Sequence, residues 1–128
     1  MARTPQEHWK DEPDAHDFPA AVDYLSLLFS EADAAALAEA LGKAPTIRRK
    51  AKDLLRASGL HLLGRDSPEV DKDLKKVARG EPLSPVLLVR GRAAKGRPLV
   101  VADGYHRICA SYHLDEDADI PCRLVDAP

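Results

Sequence analysis

Scarcity sets the first limits on this chain. It holds two cysteines, Cys109 and Cys122, in 128 residues, too few for a disulfide framework, and each reads as a buried thiol in a reducing compartment. Aromatic residues make up only 5%, with a single tryptophan, so no stacking platform for single-stranded nucleic acid is expected. No apolar run approaches the length that spans a bilayer, and the N-terminus lacks the apolar stretch of a secretory signal; the expected address is the cytoplasm, with no membrane partner. What remains, 45% hydrophobic and 31% charged residues, is the composition of an ordinary globular protein long enough for one core.

The net charge of −2 hides an uneven distribution. Both ends are acidic: Glu7, Asp11, Glu12, Asp14 and Asp17 near the start, and Asp115, Glu116, Asp117, Asp119 and Asp126 near the finish. The middle is basic, with Lys43, Arg48, Arg49, Lys50, Lys52 and Arg56, then Arg90, Arg92, Lys95 and Arg97. An anionic ligand is therefore expected to meet the middle of the chain.

Residues 1–17 contain Pro5 and Pro13 and show no sustained period, which predicts a flexible acidic arm before a single domain over 18–128. From Pro19 a helical pattern runs through Val22, Leu25, Leu28 and Phe29. Ser30 can cap a second helix with Ala34, Leu37, Ala38 and Leu41 on one face and Gly42 as its stop. Thr46 can cap a third, apolar at Ile47, Ala51, Leu54 and Leu55, which Gly59 ends; Arg48, Lys52 and Arg56 then form a basic stripe at four-residue steps. These segments form a helical part over 18–60. A fourth helix is expected over 67–79, with Ser67 as cap and Pro68 at its first position, closed by Gly80. The runs Val86–Val89 and Leu99–Val101 read as adjacent strands joined by a basic loop. A fifth helix from about Gly104 to His113, an acidic turn and a strand over 121–125 complete the chain. Pro121 places that last strand at an edge, or starts it only after the proline.

Chemistry concentrates where the strand Val100-Val101-Ala102 breaks at Asp103-Gly104 into Tyr105-His106-Arg107. Gly104 permits close approach, and a helix start leaves outward amide donors with partial positive charge, which suits a phosphate. Arg107 and His106 add donors, and Asp103 suits a divalent cation or a hydroxyl. The alternative, that Asp103 only caps the helix while the two cations are solvated, stays open. Tyr105, Ile108, Cys109 and Tyr112 share one side of the helix and are expected in the core, with Arg107 and Ser111 across from them. His106, Cys109 and His113, with Cys122, have spacings that permit zinc, but their apolar neighbours and the absence of a paired CxxC argue for no metal there. His8 and His16 lie in the polar arm and carry no pattern.

Three groups of residues together resemble the ParB/sulfiredoxin superfamily: Pro85-Val86-Leu87-Leu88-Val89; Val101-Ala102-Asp103-Gly104-Tyr105-His106-Arg107 with Ala110; and Ile120-Pro121-Cys122-Arg123-Leu124-Val125. The likeness covers about residues 67–125 and implies an α+β fold of the ParB/sulfiredoxin type, here with a helical N-terminal extension. Members include CTP-dependent partition proteins, ATP-dependent sulfiredoxins and free-serine kinases. By this resemblance Gly104, Tyr105, His106 and Arg107 hold nucleotide phosphates. The leading expectation built on it is a nucleoside triphosphate, ATP or CTP, with Mg2+ near Asp103, and Asp103 or His106 as the base of a phosphotransferase or nucleotide hydrolase. Sulfiredoxins carry a reactive cysteine where this chain has Tyr105, so sulfinic acid reduction is not expected. Partition proteins carry a helix-turn-helix domain after this module; no such segment precedes Pro128, so clamp-type partition by this polypeptide alone is not expected. Two alternatives stand beside the nucleotide reading. One is a non-enzymatic module engaging a protein partner, or a second copy, through residues 18–60. The other is a DNA-associated accessory protein using Arg48, Arg49, Lys52, Arg56 and the loop 90–97, which the acidic overall balance disfavours.

Overall fold

The run Val86-Leu87-Leu88-Val89 is fully buried along its whole length, which is possible only for a strand covered on both faces. The computed structural model of the chain describes residues 6–128. It has helices α1 (Asp17–Leu25), α2 (Glu31–Lys43), α3 (Ala51–Ser58), α4 (Pro68–Ala78) and α5 (Tyr105–Leu114). Its strands are β1 (Ile47–Lys50), β2 (Val86–Arg90), β3 (Val100–Asp103) and β4 (Asp119–Asp126). The strands form one mixed sheet in the order β1-β4-β2-β3, with β4 and β2 parallel and the outer pairs antiparallel. The fold class is α+β.

The pleat of β2 divides the core into two layers. Val86 and Leu88 face α3, α4 and α5, joining Leu54, Val70, Ile108 and Cys109; Leu87 and Val89 face α1 and α2, joining Leu25, Ala34 and Leu41. Each such leucine or valine contributes about 1.5–3 kcal/mol by leaving water. Local signals set the helix ends. Ser30 Oγ accepts from the Asp33 amide at 3.1 Å, Pro68 opens α4, and Gly59 closes α3 in the left-handed conformation at φ 69°. Buried Arg123 donates from Nη1 to the carbonyls of Leu41 and Gly42 at 3.3 and 2.8 Å, satisfying acceptors that α2 leaves free at its end.

Four expectations need correction. The third helix does not begin at Thr46: Ile47–Lys50 pairs with β4, Ile47 opposite Cys122 and Lys50 opposite Asp119, and the helix starts only at Ala51. The spacing of Ile47 and Ala51 fits a helix, but a strand partner far along the chain outweighs it. The first helix ends at Leu25 rather than Phe29, and the following turn leaves Leu27 79% and Leu28 52% exposed. The flexible arm is not loose where it is described: the Lys10 amide donates to the Leu83 carbonyl at 2.8 Å, the Leu83 amide returns a bond to His8, and Asp17 is buried as the first residue of α1. Its residues 1–5 lie outside the described residues. The last strand is internal rather than at an edge. It tolerates Pro121 because pairing with β2 starts only at Cys122, so the missing amide hydrogen faces no ladder there.

Candidate functional site

The turn from β3 into α5 is shaped by contact with β2. A register shift between Leu87 and Leu88 brings Asp103 opposite Leu87 and lays Gly104 over Val86. Gly104 has φ 108°, and a Cβ there would stand 2.4 Å from Val86 Cγ1 and 2.8 Å from Arg107 Nη2. The glycine is therefore required by packing alone. It also serves as the N-cap of α5, with no side-chain cap, so Asp103 is not the cap. The first-turn amides of Tyr105, His106 and Arg107 stand where an unsatisfied helix start exposes its donors.

Arg107 points inward. Its Nη2 donates to Asp103 Oδ2 at 2.8 Å and its Nη1 to Ser84 Oγ at 2.8 Å, with Asp17 Oδ1 at 3.9 Å. Ser84 in turn donates to Asp17 Oδ2 at 2.7 Å, and the Asp14 amide donates to the same oxygen at 3.1 Å. Asp17 and Ser84 are 3% and 4% exposed, so this network joins α1, the segment before β2 and α5 inside the protein. Arg107 Nε is buried and, among the described residues, meets no hydrogen-bond partner. The forked grip on two phosphate oxygens expected of Arg107 is not open while Asp103 and Ser84 hold both Nη groups.

The carboxylates outnumber the cation. Burial pushes the Asp103 carboxyl above its ordinary range; Arg107 opposes this without cancelling it, and Asp17 adds to the rise. Asp73, half-buried on α4, is also raised by burial, against the pull of Arg107, Lys76 and His106. Asp14 is held low, first by its hydrogen bond with Lys10 at 2.7 Å. His106 lies half-buried beside the Tyr105 ring, with centroids 5.5 Å apart. Of the predicted residues, Asp103 and Arg107 are thus joined directly, and Gly104, Tyr105 and His106 line the same turn.

Sequence reasoning missed Asp17, Ser84 and Asp73, which lie at a distance along the chain that no local spacing reveals. It also set His16 aside, whereas Asp14, His16 and Asp17 are the one group among the described residues whose ligand atoms lie close enough, within 4.8 Å of one another, to hold a metal ion. The zinc combination is not assembled: Cys109 and Cys122 lie in the apolar core, His113 Nε2 donates to the Leu63 carbonyl at 2.7 Å, and burial pushes the Cys122 thiol up to about 11. Ser111, expected across α5 from the core residues, is fully buried, with its hydroxyl donating to Glu7. The basic stripe is divided between two elements. Arg48 and Arg49 project from β1, while on α3 Lys52 meets Asp117 at 2.6 Å and Arg56 meets Asp53 at 3.6 Å. No helix among the described residues is long and apolar enough to cross a membrane.

Comparison of the chain with protein families, with curated proteins and with solved structures returned no match in any of the three.

Proposed function

We propose that the start of α5 binds a phosphate-bearing small molecule, a nucleoside triphosphate carried with Mg2+, on a module of the ParB/sulfiredoxin type. The observation that carries this reading is the orphaned Nε of Arg107, a buried donor of a cation two residues into a helix start. Leaving such a donor unmade costs about 1–3 kcal/mol, and a ligand that supplies the acceptor recovers it. The first-turn amides of Tyr105, His106 and Arg107 add the partial positive charge of the helix end. The Val101–Arg107 residues that carry the superfamily resemblance are the ones gathered at this turn.

The charge balance selects the form of the ligand. Asp17, Asp73 and Asp103 surround one arginine, so a bare phosphate meets net negative charge, whereas a phosphate chain with its magnesium does not. Asp103 would hold the cation, its half-buried carboxylate being the hard oxygen donor that magnesium takes. Magnesium supplies charge neutralisation on the phosphate oxygens. His106, outside the Asp103–Arg107 pair, is the residue that contacts the phosphates and accepts a proton if transfer occurs.

Calorimetric titration with ATP, CTP and GTP, with and without magnesium, tests the reading. Magnesium-dependent saturable binding is expected, weakened in His106→Ala at unchanged melting temperature, and weakened by on the order of 1.5–3 kcal/mol in folded Arg107→Ala through loss of a charged hydrogen bond. Phosphate release measured in the same samples separates a hydrolase from a binding protein. Silence from all three nucleotides with folded protein overturns the proposal.

A further inference from the structure

Arg107 is anchored at one end of its guanidinium. Its Nη1 donates to Ser84 Oγ at 2.8 Å, and the Ser84 hydroxyl donates onward to Asp17 Oδ2 at 2.7 Å. The directions in this chain are forced. A guanidinium can only donate, so the Ser84 oxygen accepts from it and the hydroxyl hydrogen is left to point at another acceptor. Asp17 is that acceptor, and the Asp14 amide fixes it from behind by donating to the same oxygen at 3.1 Å. Asp17 and Ser84 are both buried, so water competes little for these bonds.

The other edge of the guanidinium is only half occupied. There the Nε hydrogen and one Nη2 hydrogen point the same way, a fork that matches two oxygens of one anion. Asp103 takes a single prong: its Oδ2 accepts from Nη2 at 2.8 Å, whereas the buried Nε meets no partner among the described residues. This edge lies at the glycine turn, since a Cβ on Gly104 would stand 2.8 Å from Nη2. An anion that reaches both prongs is the stronger occupant.

We propose that Ser84 and Asp17 are positioning residues for the site at the start of α5: they anchor Nη1 so that the Nε and Nη2 edge stays aimed at the glycine turn, where a phosphate takes both prongs in place of Asp103. The inference rests on the phosphate reading of that turn. The exchange breaks one bond to Asp103, makes two to the phosphate and keeps the bond to Ser84. Neither Ser84 nor Asp17 touches the ligand; both act through Arg107. Without the Ser84 anchor Nη1 is free to close on Asp17 Oδ1, now 3.9 Å away, which turns the fork from the turn.

Nuclear magnetic resonance of the arginine Nε–Hε groups in the whole chain tests this, with the Arg107 signal assigned by its loss in Arg107→Lys. In the ligand-free parent the Arg107 Hε should exchange slowly with water, and magnesium ATP or magnesium CTP should move it downfield as an acceptor arrives. Ser84→Ala should speed that exchange and weaken nucleotide binding, each by about tenfold or more, with amide exchange at buried Leu87 unchanged. Asp17→Ala should do the same, and Asp17→Asn, which still accepts from Ser84, should recover most of the loss. Exchange that speeds at Leu87 as much as at Hε marks a merely structural role and overturns the proposal, as does binding that leaves the Hε signal in place. Unchanged Hε protection and unchanged affinity in Ser84→Ala overturn the positioning role while the phosphate reading stands. Protection that depends on Ser84, in a protein that binds neither nucleotide, upholds the anchor and overturns the phosphate reading on which its use depends.

Discussion

Replacing Gly104 with alanine separates what packing demands of the turn from what a ligand demands. The added Cβ meets Val86 Cγ1 at 2.4 Å and Val86 Cβ at 2.8 Å, both on a buried strand that cannot give way. Overpacking of this kind costs about 1–3 kcal/mol. The backbone at φ 108° adds about 1–2 kcal/mol for an L-residue held in a left-handed conformation. The sum, about 2–5 kcal/mol, is a large part of the roughly 5–15 kcal/mol that stabilises a domain of ordinary size. Urea unfolding followed by circular dichroism should show the midpoint falling accordingly. Val86→Ala removes the nearest methyl but leaves Cβ in place, so in the Gly104→Ala background it should recover about 1 kcal/mol relative to additivity. An unchanged midpoint in Gly104→Ala refutes the steric account. If nucleotide binding is lost at that unchanged midpoint, the glycine serves the ligand and not the strand beneath it.

Two further outcomes follow from burial. Asp73 has a folded pKa raised above its ordinary value of 3.8, so its contribution is fully present below that value and is lost as pH rises through the folded pKa. Asp73→Asn should therefore gain stability relative to the parent at pH 7 and show little difference at pH 3; thermal melts at the two values check this, and a loss at pH 7 would mean that Arg107 and His106 outweigh burial. Leu87→Ala, at a fully buried position between α1, α2 and the sheet, should cost about 2–5 kcal/mol in the same unfolding assay, and a cost below 1 kcal/mol would show that the α1–α2 layer closes over the gap.

Much of the fold was legible because its signals are local. Ser30, Gly59, Pro68 and Gly80 mark the start of α2, the end of α3 and the two ends of α4 through the conformation or hydrogen bond each residue type favours, and each lies within a residue or two of the observed boundary. The turn at Asp103–Arg107 was also visible, since a short β-branched run ending at Asp-Gly announces a strand breaking into a helix. By itself, then, the sequence determined the class of fold, most of its helices, β2 and β3, and the position of the turn from β3 into α5.

Tertiary structure decided the rest, wherever two alternatives satisfy the same local pattern. Ile47–Lys50 fits a helix by spacing and becomes a strand because β4, 69 to 75 residues later, offers it a partner. The polar start of the chain shows no period, yet it is bound to Leu83 and supplies Asp17 to Arg107, 90 positions away. Ser84 joins the same network from 67 positions beyond Asp17. Contacts of this length leave no trace in nearest-neighbour spacing, because what selects them is the burial of both partners at once. Whether Arg107 faced outward or inward to Asp103 and Ser84 was settled there, by the cost of leaving buried Asp17 and half-buried Asp103 without a cation.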